Sequence, residues 1–262
     1  MTENQLLMEA VADVARVAGS VALQYFKSRV SIEAKSDGSP VTIADRSAEA
    51  AARDWIGARY PKDSIVGEEM AAQARGARRW IIDPIDGTRT FLRGVPLWGS
   101  LVAVADGDSV IAGAAYFPAL DEMLCAGAGL GCWWNGARAF VSTVSELAQA
   151  TVLTTDEQFA AAPGRRDAWR DLASRSGLAR SWGDCYGYLL VATGRAEAMV
   201  DGALSDWDAA ALMPALVEAG GVFTDWAGRA TPFGGSAIAT NAALASSVRA
   251  IVGGGSNART DT

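Results

Sequence analysis

The chain of 262 residues contains no histidine. The side chain that most readily changes charge near neutral pH is therefore missing, and acid–base chemistry has to come from carboxylates, hydroxyls or water on a metal ion. Cysteine is scarce: Cys125, Cys132 and Cys185 make an odd number with no Cys-x-x-Cys spacing. Neither a disulfide framework nor a zinc site is indicated, and the three read as small apolar residues in a reducing compartment. No apolar run reaches the roughly 18 residues that mark a membrane span. The opening Met1-Thr2-Glu3-Asn4-Gln5 lacks the basic flank of a secretory signal. Cations are outnumbered too: 23 Lys and Arg against 30 Asp and Glu leave a net charge of −7, the wrong sign for a nucleic-acid footprint. These absences describe a soluble, cytoplasmic protein with no nucleic-acid or membrane partner.

Half of the residues are apolar, enough core for one large domain or two small ones wrapped into one body. Helical spacing over 5–27 and 44–60 predicts two long helices, with two short extended pieces around Asp37-Gly38-Ser39-Pro40 between them. Ser64–Gly67 and Arg79–Ile82 read as strands, and 98–127 as an antiparallel meander punctuated by Asp106-Gly107-Asp108 and Pro118-Ala119-Leu120-Asp121. The second half alternates strands (151–155, 198–201, 222–225, 238–240) with helices (164–177, 185–195, 208–219, 243–252). A chain of this kind is α+β, in an N-terminal half, 1–145, and a C-terminal half, 146–252. The Gly/Ser/Asn-rich tail, 253–262, is expected to be disordered.

The most informative stretch is Trp80-Ile81-Ile82-Asp83-Pro84-Ile85-Asp86-Gly87-Thr88-Arg89-Thr90. An apolar run delivers two carboxylates to a turn, and a Gly-Thr pair follows whose N–H groups are open if a helix begins there. Carboxylates hold hard cations and a helix start holds phosphate, so the pattern describes metal-assisted phosphate chemistry. Two residues separate the aspartates, which spoils the Asp-x-Asp-Gly-Thr register of haloacid-dehalogenase-type phosphatases and argues against a phospho-aspartate intermediate. Other acids also stand where apolar segments end or helices begin: Glu68 after Ile65-Val66-Gly67, Asp45 after Pro40–Ala44, and Asp208 after Asp206-Trp207. Each has a plainer role available, as an N-cap for Asp45 and Asp208 or a solvated charge for Glu68.

Taken in order, Lys35-Ser36-Asp37-Gly38-Ser39-Pro40-Val41-Thr42-Ile43-Ala44-Asp45, Gly67-Glu68-Glu69, Asp83-Pro84-Ile85-Asp86-Gly87-Thr88, Trp207-Asp208-x-x-Ala211 and Glu218-Ala219-Gly220-Gly221 resemble the inositol monophosphatase superfamily over roughly residues 5–250. The resemblance implies a layered α/β/α/β/α sandwich of the inositol monophosphatase / fructose-bisphosphatase type. It also implies a Mg²⁺-dependent phosphomonoesterase that uses direct attack of metal-activated water. By the same resemblance Glu68, Asp83 and the Ile85 carbonyl hold one Mg²⁺, while Asp83, Asp86 and Asp208 hold a second. A third ion sits near Glu68 and Asp45. Thr88 paired with Asp45 orients or deprotonates the water, Gly87 and Thr88 amides hold phosphate, and the enzyme is a homodimer. Trp133-Trp134 is one candidate surface for that dimer. Thr90 departs from the pattern, since the family often has Asn there; its expected role is to brace the loop.

The alcohol is read by the second half. Trp182-Gly183-Asp184-x-x-Gly187-Tyr188, with Val95-Pro96-Leu97-Trp98, resembles the histidinol-phosphate phosphatase branch. That branch implies L-histidinol phosphate as substrate, in histidine biosynthesis, with Asp184 and Asp201 as acids facing its cationic groups. Asp184 also suits a helix cap, and Tyr188 a core aromatic. An inositol-1-monophosphatase with broad sugar-phosphate activity is the alternative. A catalytically inactive metal-dependent regulatory protein is a remoter one.

Overall fold

A computed structural model describes residues 1–35 and 38–253. Ser36, Asp37 and all of the expected tail but Gly253 lie outside them. Helix α1 (Glu3–Leu23) begins at Thr2, whose hydroxyl accepts from the Gln5 amide while the Gln5 side chain accepts from the Thr2 amide. Its buried Leu7, Val11, Val14, Ala18 and Ala22 recur at steps of three and four. A hairpin of β1 (Ile32–Ala34) and β2 (Pro40–Thr42) leads into α2 (Ile43–Arg59). Then come β3 (Ser64–Gly67), β4 (Arg78–Asp86), the short helix α3 (Thr88–Leu92), β5 (Gly99–Asp106), β6 (Ser109–Phe117), β7 (Glu122–Gly127), β8 (Gly131–Trp134) and β9 (Ala137–Arg138). These strands form a seven-stranded sheet in sequence order, β3 parallel to β4 and the rest antiparallel.

Side-chain alternation assigns the two faces of that sheet. Trp80, Ile82, Val102, Val104, Ala112 and Ala114 pack with α1 and α2. Ile81, Leu101, Ala103, Ala115 and Phe117 belong to the opposite cluster. With both faces covered, every position is apolar, which explains why Trp80-Ile81-Ile82 shows no alternation.

The second half contributes β10 (Thr151–Leu153), α4 (Arg166–Arg175), β11 (Leu178–Arg180), α5 (Asp184–Ala192), β12 (Ala198–Asp201), α6 (Asp206–Ala209), α7 (Leu212–Glu218), β13 (Val222–Thr224), β14 (Ala237–Thr240) and α8 (Ala245–Gly253). Its five strands run in the order β11-β10-β12-β14-β13. Leu189 on α5 and Leu212 and Leu216 on α7 share one cluster with the inner faces of both sheets, Leu101 and Phe117 from one, Met199 and Phe223 from the other. Trp169 and Leu172 on α4 and Val248 and Val252 on α8 cover the outer face of the smaller sheet. The stack is helix, sheet, helix, sheet, helix, the α+β sandwich expected.

Some local details differ from the sequence reading. Strand β4 runs on to Asp86 instead of ending at Asp83. The helix expected over 208–219 is two helices, α6 and α7. Strands β8, β9 and β11 are not among the strands read from the sequence; the first two lie in the Gly-rich stretch after 127, where turn residues mask them.

Candidate active site

The end of β4 is irregular. Asp83 faces Leu101 and Asp86 faces Gly99, so three steps on β4 match two on β5. In a regular strand residues three apart point to opposite faces; the extra residue of a bulge allows both carboxylates to converge. Pro84, which has no amide hydrogen for a sheet ladder, is tolerated at such a bulge, and its carbonyl accepts from the buried Ser100 hydroxyl at 2.6 Å. Asp208 enters from the first turn of α6, where its Oδ2 accepts from the Ser205 amide at 2.8 Å. One carboxylate oxygen from each of Asp83, Asp86 and Asp208 lies within 4.8 Å of the other two. Among the described residues this is the one cluster of three or more His, Cys, Asp or Glu close enough to share a cation.

The electrostatics are those of crowded, buried acids. Burial, then the charges of Glu68, Asp86 and Asp208, push the Asp83 carboxyl well above the usual range. Burial with Asp184 and Asp208 does the same to Asp86. Asp208 is raised to about 7, chiefly by burial and, among its neighbours' charges, that of Glu68. Glu68 stands outside the trio but against Asp83. Its Oε1 accepts from Lys35 Nζ at 2.6 Å, and the same ammonium reaches Glu69 at 2.7 Å. Lys35 was part of the motif without an assigned role; an ammonium between two acids is invisible until the chain folds.

Asp45 combines its two readings. Its Oδ2 accepts from the Thr42 amide (2.8 Å) and hydroxyl (2.6 Å), which caps α2. Its Oδ1 lies 3.5 Å from the Thr88 hydroxyl, which sits closer, at 3.1 Å, to the Ile85 carbonyl. Gly87 precedes α3 with a left-handed backbone, φ +83°. A Cβ there would stand 2.9 Å from Asp184 Oδ2. Glycine is required on both counts. The first amides of α3 have no partner within their helix.

Asp184 opens α5 with φ +50°. Its amide donates to Thr155 Oγ1 at 2.9 Å, and its Oδ2 accepts from the Thr90 hydroxyl at 2.7 Å. The next amide, of Cys185, donates to Asp86. Asp184 and Thr155 line both a cavity of about 160 Å³ that includes Asp86 and Asp208 and a cleft of about 600 Å³ walled also by Arg89, Thr90, Arg93 and Leu97. Thr155, Arg89 and Arg93 were missed: nothing in their local sequence marks a cleft assembled from both halves.

Asp201 does not sit where the sequence reading put it. It is 4% exposed. Its Oδ2 accepts from the Tyr188 hydroxyl at 2.9 Å and its Oδ1 from the Thr155 amide at 2.9 Å. Both oxygens are used inside the fold, so the carboxylate supports the Thr155 wall and is absent from the linings of the two cavities that meet at Asp184. Trp133 and Trp134 are likewise engaged within the chain: their indole nitrogens donate to Leu130 O and Glu122, and Arg138 and Arg195 stack on their rings.

A family model of the inositol monophosphatase family matches residues 3–253. The chain belongs to this family. Similar family relatives include a histidinol-phosphatase of Chlorobaculum parvum, 40% identical over 96% of this chain and 98% of that protein. A histidinol-phosphatase of Mycobacterium tuberculosis is 37% identical over 91% of this chain and 94% of its own. Among solved structures, an inositol monophosphatase from Zymomonas mobilis superposes with a TM-score of 0.86 at 28% identity, over 96% of this chain and 99% of that one. This member of the inositol monophosphatase family is a phosphatase acting on small phosphomonoesters. Its acidic cluster suits a metal: the donors are carboxylate oxygens, buried at Asp83, half-buried at Asp86 and Asp208, and mutually repelling, which is the chemistry of a hard-cation site. No helix among the described residues is long and apolar enough to cross a membrane.

Proposed function

We propose that this phosphatase is Mg²⁺-dependent and hydrolyses L-histidinol phosphate to L-histidinol and phosphate, a step of histidine biosynthesis. The observation that carries the substrate is Asp184, a carboxylate lining both the cavity of the acidic cluster and the 600 Å³ cleft. Histidinol offers an ammonium and an imidazole, both donors for such a group. The similarity to proteins named histidinol-phosphatase over nearly the whole chain supports the same reading.

In this reading Glu68, Asp83 and the Ile85 carbonyl hold one Mg²⁺, and Asp83, Asp86 and Asp208 hold a second, with a further ion near Glu68 and Asp45. Bound magnesium supplies a lowered pKa for water and neutralises charge on the phosphoryl oxygens. The protein does the rest. The Thr88 hydroxyl, with Asp45 Oδ1 and the Ile85 carbonyl as acceptors, keeps its own lone pairs for a hydrogen of the attacking water. Gly87 and Thr88 amides at the start of α3 donate to the phosphate. Asp184 has one oxygen held by Thr90 and accepts from the alcohol with the other. A cytoplasmic homodimer is the working form; static light scattering checks it, and a monomer would remove it.

The test compares kcat/KM for histidinol phosphate and myo-inositol 1-phosphate on one preparation with saturating Mg²⁺. The expected ratio favours histidinol phosphate. A ratio favouring inositol phosphate supports the broader inositol-1-monophosphatase, since a polyol hydroxyl also satisfies Asp184. No Mg²⁺-dependent phosphate release from any phosphomonoester would leave a metal-dependent regulatory protein.

A further inference from the structure

Helix α2 carries three charged residues at steps of four, Asp45, Glu49 and Arg53, one per turn on a single face. Asp45 reaches Thr88. The other two have no part in the chemistry described above, and both are buried: Glu49 is 0% exposed and Arg53 6%. They pair with each other, Arg53 Nε to Glu49 Oε1 at 2.7 Å. Their other hydrogen bonds go to one short stretch of backbone. Glu49 accepts from the amides of Glu69 (2.7 Å) and Met70 (3.2 Å). Arg53 donates to the carbonyls of Met70 (3.0 Å) and Ala71 (3.2 Å).

That stretch directly follows Glu68. The Glu68 amide itself donates to Ile82 O on β4 at 3.2 Å. The residue is therefore fixed on one side by the strand that carries Asp83 and on the other by an ion pair on α2. Gly67 marks how closely the carboxylate fits: a Cβ at that position would lie 2.2 Å from Glu49 Oε1. A buried ion pair is weak ground for stability in itself, because desolvation offsets most of the attraction. Four hydrogen bonds from one pair to three consecutive residues instead specify where the chain runs. We propose that Glu49 and Arg53 are positioning residues which hold Glu68 against Asp83 and thereby set the site's affinity for its divalent cation. The inference rests on Glu68 being a ligand.

The test is direct titration of Mn²⁺ into metal-free protein by calorimetry, with the Mg²⁺ dependence of phosphate release beside it. Glu49→Gln keeps the shape but sets an amide against backbone N–H groups. It is expected to weaken Mn²⁺ binding about tenfold to a hundredfold, the range for groups that orient metal ligands. The Mg²⁺ needed for half-maximal rate rises by the same factor, and kcat at saturating Mg²⁺ changes far less. Arg53→Lys keeps the charge without the fork that spans two carbonyls, and it carries the test if Glu49→Gln does not fold. In the Glu49→Gln/Glu68→Gln double variant the first substitution adds nothing further to the loss of Mn²⁺ affinity, because it acts through Glu68. A folded single variant with a lowered Tm and unchanged Mn²⁺ affinity overturns the positioning role. Glu68→Gln alone separates the two failures. Unchanged affinity there removes Glu68 from the ligand set and overturns both readings, whereas a loss there with none in Glu49→Gln overturns the positioning role only.

Discussion

The Thr90 hydroxyl donates to Asp184 Oδ2 at 2.7 Å, joining residues 94 positions apart. The contact ties the loop after β4 to the start of α5, and so to the acid proposed to face the substrate. It also gives the departure at position 90 a structural meaning, because a hydroxyl here does the bracing expected of that residue. Thr90→Val keeps the shape and removes the donor. A hydrogen bond to a charged group is worth about 1.5–3 kcal/mol, so KM for histidinol phosphate is expected to rise about tenfold or more, with a smaller change in kcat. Steady-state kinetics on Thr90→Val and Thr90→Ser check it; equal behaviour of the two would remove the hydroxyl from the account.

Asp83 is the acid most enclosed by other acids. Asp83→Asn should lower kcat by about a thousandfold or more, the loss of several kcal/mol of transition-state stabilisation. The same substitution should raise Tm in the presence of chelator, because it deletes one of several like charges buried together. Circular dichroism melts with EDTA, set beside activity, check both halves. Substantial turnover in Asp83→Asn would refute its bridging role.

The metal-free protein should lose stability as pH rises. In the folded chain Asp83 and Asp86 are raised well above the usual carboxylate range, Asp201 to about 6 and Asp208 to about 7. Unfolded aspartates titrate near 3.9. The folded state therefore binds more protons than the unfolded one across this interval. The stability Asp201 and Asp208 contribute is complete below about pH 4 and is lost as pH climbs through about 6 to 7, and Asp83 and Asp86 act in the same direction. Divalent metal reverses the trend, since ligands bind deprotonated. Tm measured from about pH 5 to pH 8 should fall in EDTA and hold or rise with saturating Mg²⁺.

Asp201 offers a contrast with Asp184. With both oxygens engaged by Tyr188 and Thr155, Asp201→Ala leaves the Tyr188 hydroxyl and the Thr155 amide without their acceptor. A Tm loss without a selective change in preference between histidinol phosphate and inositol phosphate is expected, whereas Asp184→Asn should change that preference at nearly unchanged Tm. Melting curves and the two kcat/KM values distinguish them.

What was legible in the sequence is what local chemistry controls. Asp83, Asp86 and Asp208 were found because each closes an apolar segment or opens a helix, and motifs in order carried the family and its layers. What escaped depends on residues distant in the chain. Thr155 meets Asp201 and Asp184 across 46 and 29 positions, and Cys185 meets Asp86 across 99. The resemblance puts Asp201 on the substrate; only folding shows its oxygens engaged by Tyr188 and Thr155. The α2 pair was overlooked for a related reason: a Glu and an Arg four apart normally read as a solvated helix face, and here that face is wrapped by the turn after β3.

The bulge in β4 makes the site depend on a count of residues as much as on their identity. Adding one residue to β5 opposite the Asp83–Asp86 segment would restore regular pairing, three steps against three, and send the two acids to opposite sheet faces, with every carboxylate still present in the chain. Ile85 gives its carbonyl to the Thr88 hydroxyl and its side chain to the core beneath α1 and α2, so apolar substitutions there should be tolerated far better than such an insertion.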